Sequence, residues 1–304
     1  MKIISHSADN DGTLSAFLVG KKFNAKWPED YILTDYGNHD DIFSRINKDE
    51  KVYVCDFSFE NGPDDMKKLL DITKDVTWID HHESSIKAYG EFGKNIPGLR
   101  ISGTAACMLV WFWFNLDQSI LENLDQKECE KHYKDAPLVV QLVHDNDVWR
   151  HDDSRSAVFK IAMDMENTLP CENSIWNYFI SEDDDQIEIN INKYLDKGAT
   201  AIKFRDSIGS RACNNYGFEC TLNGKKGFAL NNPFGGSPWF GDIIYNYDFV
   251  CCFNYNGKTK SWSYSFYSDS KTGANCFEIA KSINPKGGGH YHAAGCTSEE
   301  FIFN

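Results

Sequence analysis

The sequence lacks the long apolar runs and paired cysteines of membrane and secreted proteins. No apolar run approaches the ~18 residues that a transmembrane helix needs. The N-terminal segment turns polar after Ile4, which is too short for the apolar core of a signal peptide. None of the ten cysteines is spaced as Cys-x-x-Cys, and several lie in apolar runs. We therefore expect a cytoplasmic protein with no membrane partner, whose cysteines are reduced and mostly buried.

Basic residues are also in deficit. The chain has 31 Lys and Arg against 45 Asp and Glu, a formal net charge of −14 at pH 7. Sequence-independent binding to long DNA depends on neutralisation of phosphates by Lys and Arg, so we expect no such binding here. A small anionic ligand stays compatible with this charge, because bound divalent cations reverse the local sign of a carboxylate-rich site.

The first part of the chain alternates short apolar runs with helical patterns. Strands at such a spacing, with helices between them, are typical of βαβ units, so we predict an α/β fold with a parallel sheet. In sheets of this kind, ligands bind beyond the carboxyl ends of the strands. The predicted strands are 2–5, 31–34, 51–57 and 76–79, and the predicted helices between them are 14–23 and 64–73.

The rest of the chain predicts a helical middle and a smaller C-terminal domain. Helical patterns cover 105–114, which is apolar on nearly every face, and then 136–144 and 187–205. Short aromatic strands follow at 249–255 and 262–267, with a hairpin signal at Asn256-Gly257.

These patterns also predict the domain organisation. We predict a parallel-sheet catalytic domain over 1–180, a helical linker over 181–215 and a smaller α/β substrate-binding domain over 216–304. The active site is expected in the cleft between the two domains.

Acidic and histidine residues gather where the predicted elements end. The carboxyl ends of parallel strands meet at one edge of a sheet, so the clusters that follow strands should converge. Oxygen and nitrogen donors without thiolates suit a hard or borderline divalent pair such as Mn²⁺. The clusters are His6-Ser7-Ala8-Asp9-Asn10-Asp11, Asp56, Asp80-His81-His82 and, after a later helix, His144-Asp145-Asn146-Asp147.

Taken singly, each of these residues has an ordinary structural explanation. An Asp at a strand end is more often the N-cap of a helix than a ligand, and His6 alone would be a strand-end histidine. Taken together, the order of the clusters and their positions at the ends of elements indicate a metal site. A carboxylate-rich site can hold two metals about 3.5–4 Å apart, which activate a water and stabilise in-line displacement at phosphorus.

The same residues look like the successive motifs of the DHH phosphoesterase superfamily. His6-x-x-Asp9-x-Asp11-Gly12, Asp56 and Asp80-His81-His82 resemble the first three, and Leu142-Val143-His144-Asp145-Asn146-Asp147-Val148-Trp149 resembles the fourth. Gly287-Gly288-Gly289-His290, followed by Ala293-Ala294-Gly295, resembles the signature of the C-terminal DHH-associated domain. The motifs occur in the family's order over most of the chain. The Asp-x-Trp form of the fourth motif is similar to the nano-RNase, or oligoribonuclease, branch.

The resemblance implies two bound divalent ions, with Mn²⁺ favoured and Mg²⁺ or Co²⁺ as alternatives. One ion would be held by His6 and Asp9, and Asp56 would bridge both. The ligands of the second ion would be Asp11, His81 and Asp147. Asp145 competes with Asp147 for that role, and Asp147 is favoured because it precedes the Val-Trp pair.

The resemblance also implies catalytic and substrate-binding residues. His82 would contact the substrate phosphate or act as an acid near the leaving group, and Asp80 would orient the histidines. Consecutive glycines let the backbone approach an anion closely. The run Gly287, Gly288, Gly289 and His290 would therefore bind the nucleotide end of the substrate, with His290 adding a side-chain donor.

We therefore expect a Mn²⁺-dependent phosphodiesterase that hydrolyses short oligonucleotides or small (di)nucleotides by metal-activated water. A cyclic-nucleotide phosphodiesterase or an inorganic pyro- or polyphosphatase remains an alternative, because these enzymes use similar chemistry. The alternative of a different class is a catalytically inert nucleotide-binding sensor. The intact ligand residues favour an enzyme, and metal content would distinguish the two. No prediction of the oligomeric state follows from these patterns.

Overall fold

The computed structural model describes residues 1–35, 42–150, 152–180, 183–271 and 273–303. The chain divides into two units, Met1–Ala199 and Thr200–Asn304. A helix over Asp184–Tyr216 covers most of the predicted linker, whose first residues, 181 and 182, lie outside the described residues. The assignment of separate catalytic and substrate-binding domains stays a prediction.

A parallel sheet forms the centre of the first unit. Its strands in the described residues are β1 (Lys2–His6), β2 (Tyr31–Thr34), β3 (Val52–Cys55) and β4 (Val76–Ile79). They are ordered β2-β1-β3-β4, and every neighbouring pair is parallel. Every residue of β3 and β4 is buried, as expected of strands covered on both faces. The prediction of an α/β fold with a parallel sheet is confirmed.

Helices cover this sheet and connect its strands. In the described part of the first unit they are α1 (Asn10–Phe23), α2 (Pro63–Ile72), α3 (Glu83–Lys94), α4 (Ala106–Asn115), α5 (Gln118–Leu121), α6 (Gln126–His132), α7 (Leu138–Asp147), α8 (Arg155–Met163) and the first half of α9 (Asp184–Tyr216). As predicted from its apolar composition, α4 is largely buried, and it packs against α1 and α7. No helix in the described ranges is both long and apolar enough to cross a membrane.

The second unit contains a mixed sheet, against which α10 (Cys276–Ile283) packs. The strands in the described residues are β5 (Phe218–Leu222), β6 (Lys225–Asn231), β7 (Phe249–Asn256), β8 (Ser261–Tyr267), β9 (Gly288–His290) and β10 (Ala293–Ser298). Their order is β5-β6-β7-β8-β10-β9, with β6 and β7 parallel and the other pairs antiparallel.

The predicted hairpin joins β7 and β8 but uses a longer turn than Asn-Gly suggests. Asn256 lies opposite Ser261, so the loop contains the four residues 257–260. The side chain of Asn256 accepts the N–H of Lys258 at 2.9 Å, and Lys260 takes the left-handed conformation with φ 54°. Asn256 therefore acts as a side-chain acceptor in the turn, a common role for this residue.

The cysteines agree with the sequence prediction. All ten lie in the described residues, none forms a disulfide and eight are buried. Burial raises the pKa of the Cys55 and Cys107 thiols well above their usual value, so both stay protonated.

Acid should destabilise the metal-free protein through one buried histidine in α7. His144 is 3% exposed, and its Nδ1 lies 3.3 Å from the backbone N–H of Ala105. Burial, with the nearby charge of Arg150, lowers its pKa from 6.5 to about 4. Unfolding exposes the ring and allows it to bind a proton below pH 6.5. Stability contributed by neutral His144 is therefore complete above pH 6.5 and lost as pH falls to about 4.

The contribution of His144 to the change across this window is about 3 kcal/mol, because one pKa unit corresponds to about 1.36 kcal/mol. It is the difference between the wild type and a variant in which residue 144 does not titrate. Urea unfolding of chelator-treated protein at several pH values measures it. His144→Gln, which does not titrate, should lose clearly less stability between pH 6.5 and 4. Equal losses in the two proteins would show that other groups control the acid sensitivity.

Candidate metal centre

The turn between β1 and α1 positions the first two candidate ligands. His6 is the last residue of β1, and Asp9 is the N-cap of α1, where its Oδ1 accepts the N–H of Gly12 at 2.9 Å. The other oxygen of Asp9 lies 3.1 Å from Nδ1 of His6. Burial raises the pKa of Asp9, but its hydrogen bonds to His6 and Gly12 bring it below the usual value. Asp9 is thus both an ordinary helix N-cap and a candidate metal ligand.

Gly12 makes this turn possible. A Cβ at residue 12 would lie 2.2 Å from the backbone oxygen of His6, which is closer than any real Cβ contact. The hydroxyl of Ser5 also donates to the oxygen of Gly12 at 2.7 Å. The helix therefore starts directly against the strand end, which brings Asp9 and Asp11 close to His6.

Asp11 is held by the start of a core helix. Its two carboxylate oxygens accept the backbone N–H groups of Ala106 and Cys107, at 2.8 and 2.7 Å. These residues begin α4, where unpaired N–H groups and the helix dipole favour a negative charge. Asp11 is only 2% exposed, and burial raises the pKa of its carboxyl despite these contacts.

Asp56 follows β3 directly and is 2% exposed. Its Oδ1 lies 3.3 Å from Nε2 of His81 but makes no hydrogen bond to any described residue. Burial, together with the charges of Asp11 and Asp9, raises the pKa of Asp56 well above its usual value. Its backbone takes the left-handed conformation with φ 50°, which Asp tolerates better than most residues.

The residues after β4 form a turn ordered by Asp80. This fully buried carboxylate accepts the backbone N–H groups of His81 and His82 and lies 2.7 Å from Nδ1 of His82. Its second oxygen accepts Nε1–H of Trp78 at 3.3 Å. Burial disfavours charge on His82, but the bond to Asp80 raises its pKa to about 8. The role of Asp80 in orienting the histidines stays a prediction.

Three carboxylates converge on one nitrogen of His81. Its Nε2 lies 3.3 Å from Asp56, 3.6 Å from Asp11 and 3.5 Å from Asp147. Burial, together with the charge of Asp11, raises the pKa of Asp147 to about 7. The Oδ2 of Asp147, like Oδ1 of Asp56, is buried with no hydrogen-bond partner among the described residues.

The cluster at 144–147 lies inside α7 rather than after it. The predicted helix ends at 144, whereas α7 continues through Asp147, because packing extends the helix beyond what the Asn and Asp propensities suggest. Only one of the two competing aspartates meets the cluster: Asp147 groups with Asp11 and His81. In the described residues Asp145 joins no candidate metal group and instead lies 1% exposed near Tyr133.

These side chains fit divalent cations. Buried carboxylate oxygens without partners, together with elevated carboxyl pKa values, indicate negative charge that a cation would stabilise. The donors are oxygen and imidazole nitrogen, the set that suits Mn²⁺ or Mg²⁺. The candidate groups in the described residues are His6, Asp9 and Asp56; Asp11, His81 and Asp147; and Asp56, His81 and His82.

One neighbour of this cluster is absent from the sequence prediction. Asp35 lies immediately after β2, and its Oδ1 is 3.1 Å from Nε2 of His6. The sequence contains the signal for this residue, because Asp35 directly follows the predicted strand 31–34. The amides of Ala106 and Cys107 were not predictable, because backbone groups carry no sequence signature.

The glycine-rich run lies in the second unit. Gly288–His290 forms β9, the edge strand of the sheet, and pairs with β10. Gly289 has φ 131°, and a Cβ there would lie 2.5 Å from the oxygen of Ala293, so only glycine fits. The side chain of His290 is exposed.

Comparison with known proteins identifies the fold. A solved DHH domain, described as a member of the s1p family of ribosomal proteins, matches with a TM-score of 0.55 and 14% identity over 98% of this chain and 83% of that one. No family model matches the chain, and no curated protein matches it in sequence.

Two further solved structures are similar at lower scores. The pGpG-specific phosphodiesterase PggH from Vibrio cholerae has a TM-score of 0.48 and 11% identity, covering 98% of this chain and 93% of that one. RecJ with Mn²⁺ from Thermus thermophilus has a TM-score of 0.49 and 11% identity, covering 97% of this chain and 49% of that one. Only the DHH domain bears on the fold.

The chain is therefore an α/β protein with a candidate metal centre at the carboxyl edge of its parallel sheet. Its fold is that of a DHH-domain protein, which confirms the motif resemblance at the level of the fold. The finer resemblance to the nano-RNase branch stays a prediction.

Proposed function

We propose that the protein is a metal-dependent phosphoesterase that hydrolyses short oligonucleotides or small (di)nucleotides. The observation that carries this proposal is the convergence of Asp11, Asp56 and Asp147 on Nε2 of His81 at 3.3–3.6 Å. Buried carboxylates crowd together in this way where cations compensate their charge. Two-metal centres built from such residues are typical of enzymes that displace groups at phosphorus.

The candidate groups suggest how two ions would be shared. His6 and Asp9 would hold the first ion, and Asp11, His81 and Asp147 the second. Asp56 would contact both, because it groups with His6 and Asp9 and its Oδ1 lies 3.3 Å from Nε2 of His81. Mn²⁺ is the favoured ion, and Mg²⁺ or Co²⁺ would serve the same donors. Bound ions of this kind lower the pKa of water and neutralise charge on phosphoryl oxygens.

His82 and Asp80 supply the protein's own acid. Asp80 engages Nδ1 of His82, which leaves Nε2 for the substrate. In the metal-free protein the pKa of His82 is raised to about 8, which favours the protonated ring at neutral pH. Its Nε2–H would donate to a phosphate oxygen or to the departing oxygen, and Asp80 keeps the ring oriented while it does so.

Residues 216–304 would form the substrate-binding domain, with Gly287, Gly288, Gly289 and His290 contacting the nucleotide end. The exposed edge strand β9 supports this role, because an edge strand offers backbone groups without a second strand partner.

A hydrolysis panel tests the function. The protein is stripped of metal, supplied with Mn²⁺ and incubated with linear dinucleotides, longer oligonucleotides, cyclic dinucleotides and pyrophosphate. We expect hydrolysis of the short linear substrates that chelation abolishes and Mn²⁺ restores. Faster turnover of cyclic dinucleotides or of pyrophosphate would select one of the alternative hydrolases. Metal binding with no hydrolysis of any substrate would favour an inert nucleotide-binding sensor.

Substitution of His290 tests the substrate-binding run. His290→Ala should weaken the interaction with a dinucleotide by about 1.5–3 kcal/mol, the value of a charge-assisted hydrogen bond to phosphate. A small chromogenic phosphodiester without the second phosphate should be much less affected. Metal content should equal that of the wild type. Equal losses for both substrates, or loss of metal, would place His290 in the catalytic centre or in the fold instead.

A further inference from the structure

At the end of α7, one residue has a backbone conformation that is unfavourable for its type. The N–H of Trp149 donates to the oxygen of Asn146, and the N–H of Arg150 donates to the oxygen of Asp145. This pair of bonds defines a Schellman motif, in which the residue after the C-cap takes the left-handed conformation and is usually glycine. Here that residue is Trp149, with φ 54°.

Trp149 is also largely exposed to solvent. Its exposed fraction is 78%, and it is the only tryptophan in the described residues whose side chain is exposed. A bulky residue with positive φ is uncommon, and so is a tryptophan that buries so little of its indole. The positive φ of this bulky residue opposes stability. Such local conflicts concentrate at functional sites, where the residue serves a purpose other than folding.

The backbone around Trp149 is well anchored. The Schellman bonds fix it on the α7 side. On the other side, Arg150 forms ion pairs with Glu130 and Asp152, both at 2.6 Å, and its guanidinium lies 4.7 Å from the ring centre of Tyr133. The indole is therefore attached to a rigid segment, which suits a binding residue better than a mobile loop would.

Trp149 is close to the candidate metal centre. Only one residue separates it from Asp147, so the two Cα atoms are at most about 7 Å apart. If the phosphate of a nucleotide binds at the cluster, its base would lie at about this distance from the phosphate. Indole is the best aromatic surface for stacking on a base, and such stacking tolerates any base.

We propose that Trp149 is the residue on which a nucleobase of the substrate stacks, so that the enzyme favours phosphoesters that carry a base. This proposal rests on the proposed function. It adds a substrate feature that the metal ligands do not determine, because the ions that they would hold contact only phosphate and water.

The test compares Trp149→Gly with Trp149→Phe. Glycine is the preferred residue at this backbone position, so Trp149→Gly removes the indole without straining the fold. Phenylalanine retains an aromatic surface. The substrates are the dinucleotide pApA and a dimer of the same charge whose sugars carry no base. The measured quantity is the ratio of their kcat/KM values.

We expect Trp149→Gly to reduce this ratio about 5- to 150-fold, the range for loss of one stacked base. The loss should appear in KM for pApA, while Trp149→Phe keeps most of the preference. Metal content and Tm should not fall. Tyr178→Ala, which removes another exposed aromatic side chain of the first unit, is the matched control and should leave the ratio unchanged. An unchanged ratio in Trp149→Gly would overturn the proposal.

A binding measurement separates this proposal from the proposed function. A 2-aminopurine dinucleotide with a phosphorothioate linkage loses fluorescence when its base stacks. Quenching by the wild type and not by Trp149→Gly would support stacking even if no substrate were hydrolysed. Hydrolysis of pApA with equal quenching by both proteins would overturn the stacking proposal and leave the proposed function intact. No quenching by the wild type would overturn the stacking proposal as well.

Discussion

Asp56→Asn is expected to reduce phosphoester hydrolysis by roughly 10³-fold or more, because it removes the only carboxylate that belongs to two candidate metal groups among the described residues. Asparagine keeps the size of the side chain and tolerates the left-handed backbone of residue 56, with φ 50°. The substitution therefore tests the charge of Asp56 with little change in local geometry.

The same substitution should leave the metal-free protein at least as stable as the wild type. The pKa of Asp56 lies well above its usual value, so ionised Asp56 destabilises the folded state at neutral pH. This penalty is complete above the folded-state pKa and disappears as pH falls below the usual value near 4. The gain from Asp56→Asn should accordingly increase as pH rises from about 4.

Thermal unfolding with and without Mn²⁺ checks both expectations. Without metal, Tm should be equal or higher in Asp56→Asn. With Mn²⁺, the wild type should gain stability in proportion to its affinity, and the variant should gain much less. Asp71→Asn, the same change at an 86% exposed side chain, is the matched control. Retention of more than a tenth of the activity, or a full stabilisation by Mn²⁺, would contradict the assignment of Asp56 as the shared ligand.

Gly12→Ala is expected to have the largest effect on folding. The new Cβ would lie 2.2 Å from the backbone oxygen of His6. No side-chain rotation can relieve this contact, because the backbone fixes the positions of both atoms. Either α1 or the end of β1 must move. We expect a loss of about 3 kcal/mol or more in the free energy of unfolding, at the upper end for overpacked sites.

The displacement caused by Gly12→Ala should also weaken metal binding, since His6 and Asp9 lie on either side of the strained contact. Urea unfolding and Mn²⁺ titration measure the two effects. Gly257→Ala makes the same chemical change where a Cβ meets no atom within 4 Å, and it should be nearly neutral. If Gly12→Ala were as stable as Gly257→Ala, the close contact between α1 and β1 would not exist in solution.

The sequence predicts the elements of the first unit well because their apolar patterns are strong. Val52–Cys55 is a short continuous apolar run, and Val76–Ile79 is apolar except for Thr77. Both form buried parallel strands at the expected positions. Predictions of element ends were weaker. Helix α7 includes Asp147 although Asn and Asp disfavour helix interiors, because tertiary packing overrides propensity there.

The candidate site was predictable only in part. The topology of a parallel sheet brings His6, Asp56 and His81 to one edge, so their proximity follows from their positions at strand ends. The choice between Asp145 and Asp147 depends on the rotation of α7, which sequence spacing does not determine. Hydrogen bonds to backbone groups, such as those made by Asp11, have no sequence signal.

The hydrogen bonds of Asp11 have a consequence for the choice of ion. Each carboxylate oxygen is already engaged by an N–H group of α4, a helix whose position is set by the buried core. Asp11 therefore cannot swing to offer both oxygens to one cation. Calcium takes six to eight ligands, often including bidentate carboxylates, in flexible surroundings, whereas smaller ions accept fewer ligands at fixed positions. In the proposed centre, the rigidity of Asp11 thus favours small ions and discriminates against calcium by ionic radius.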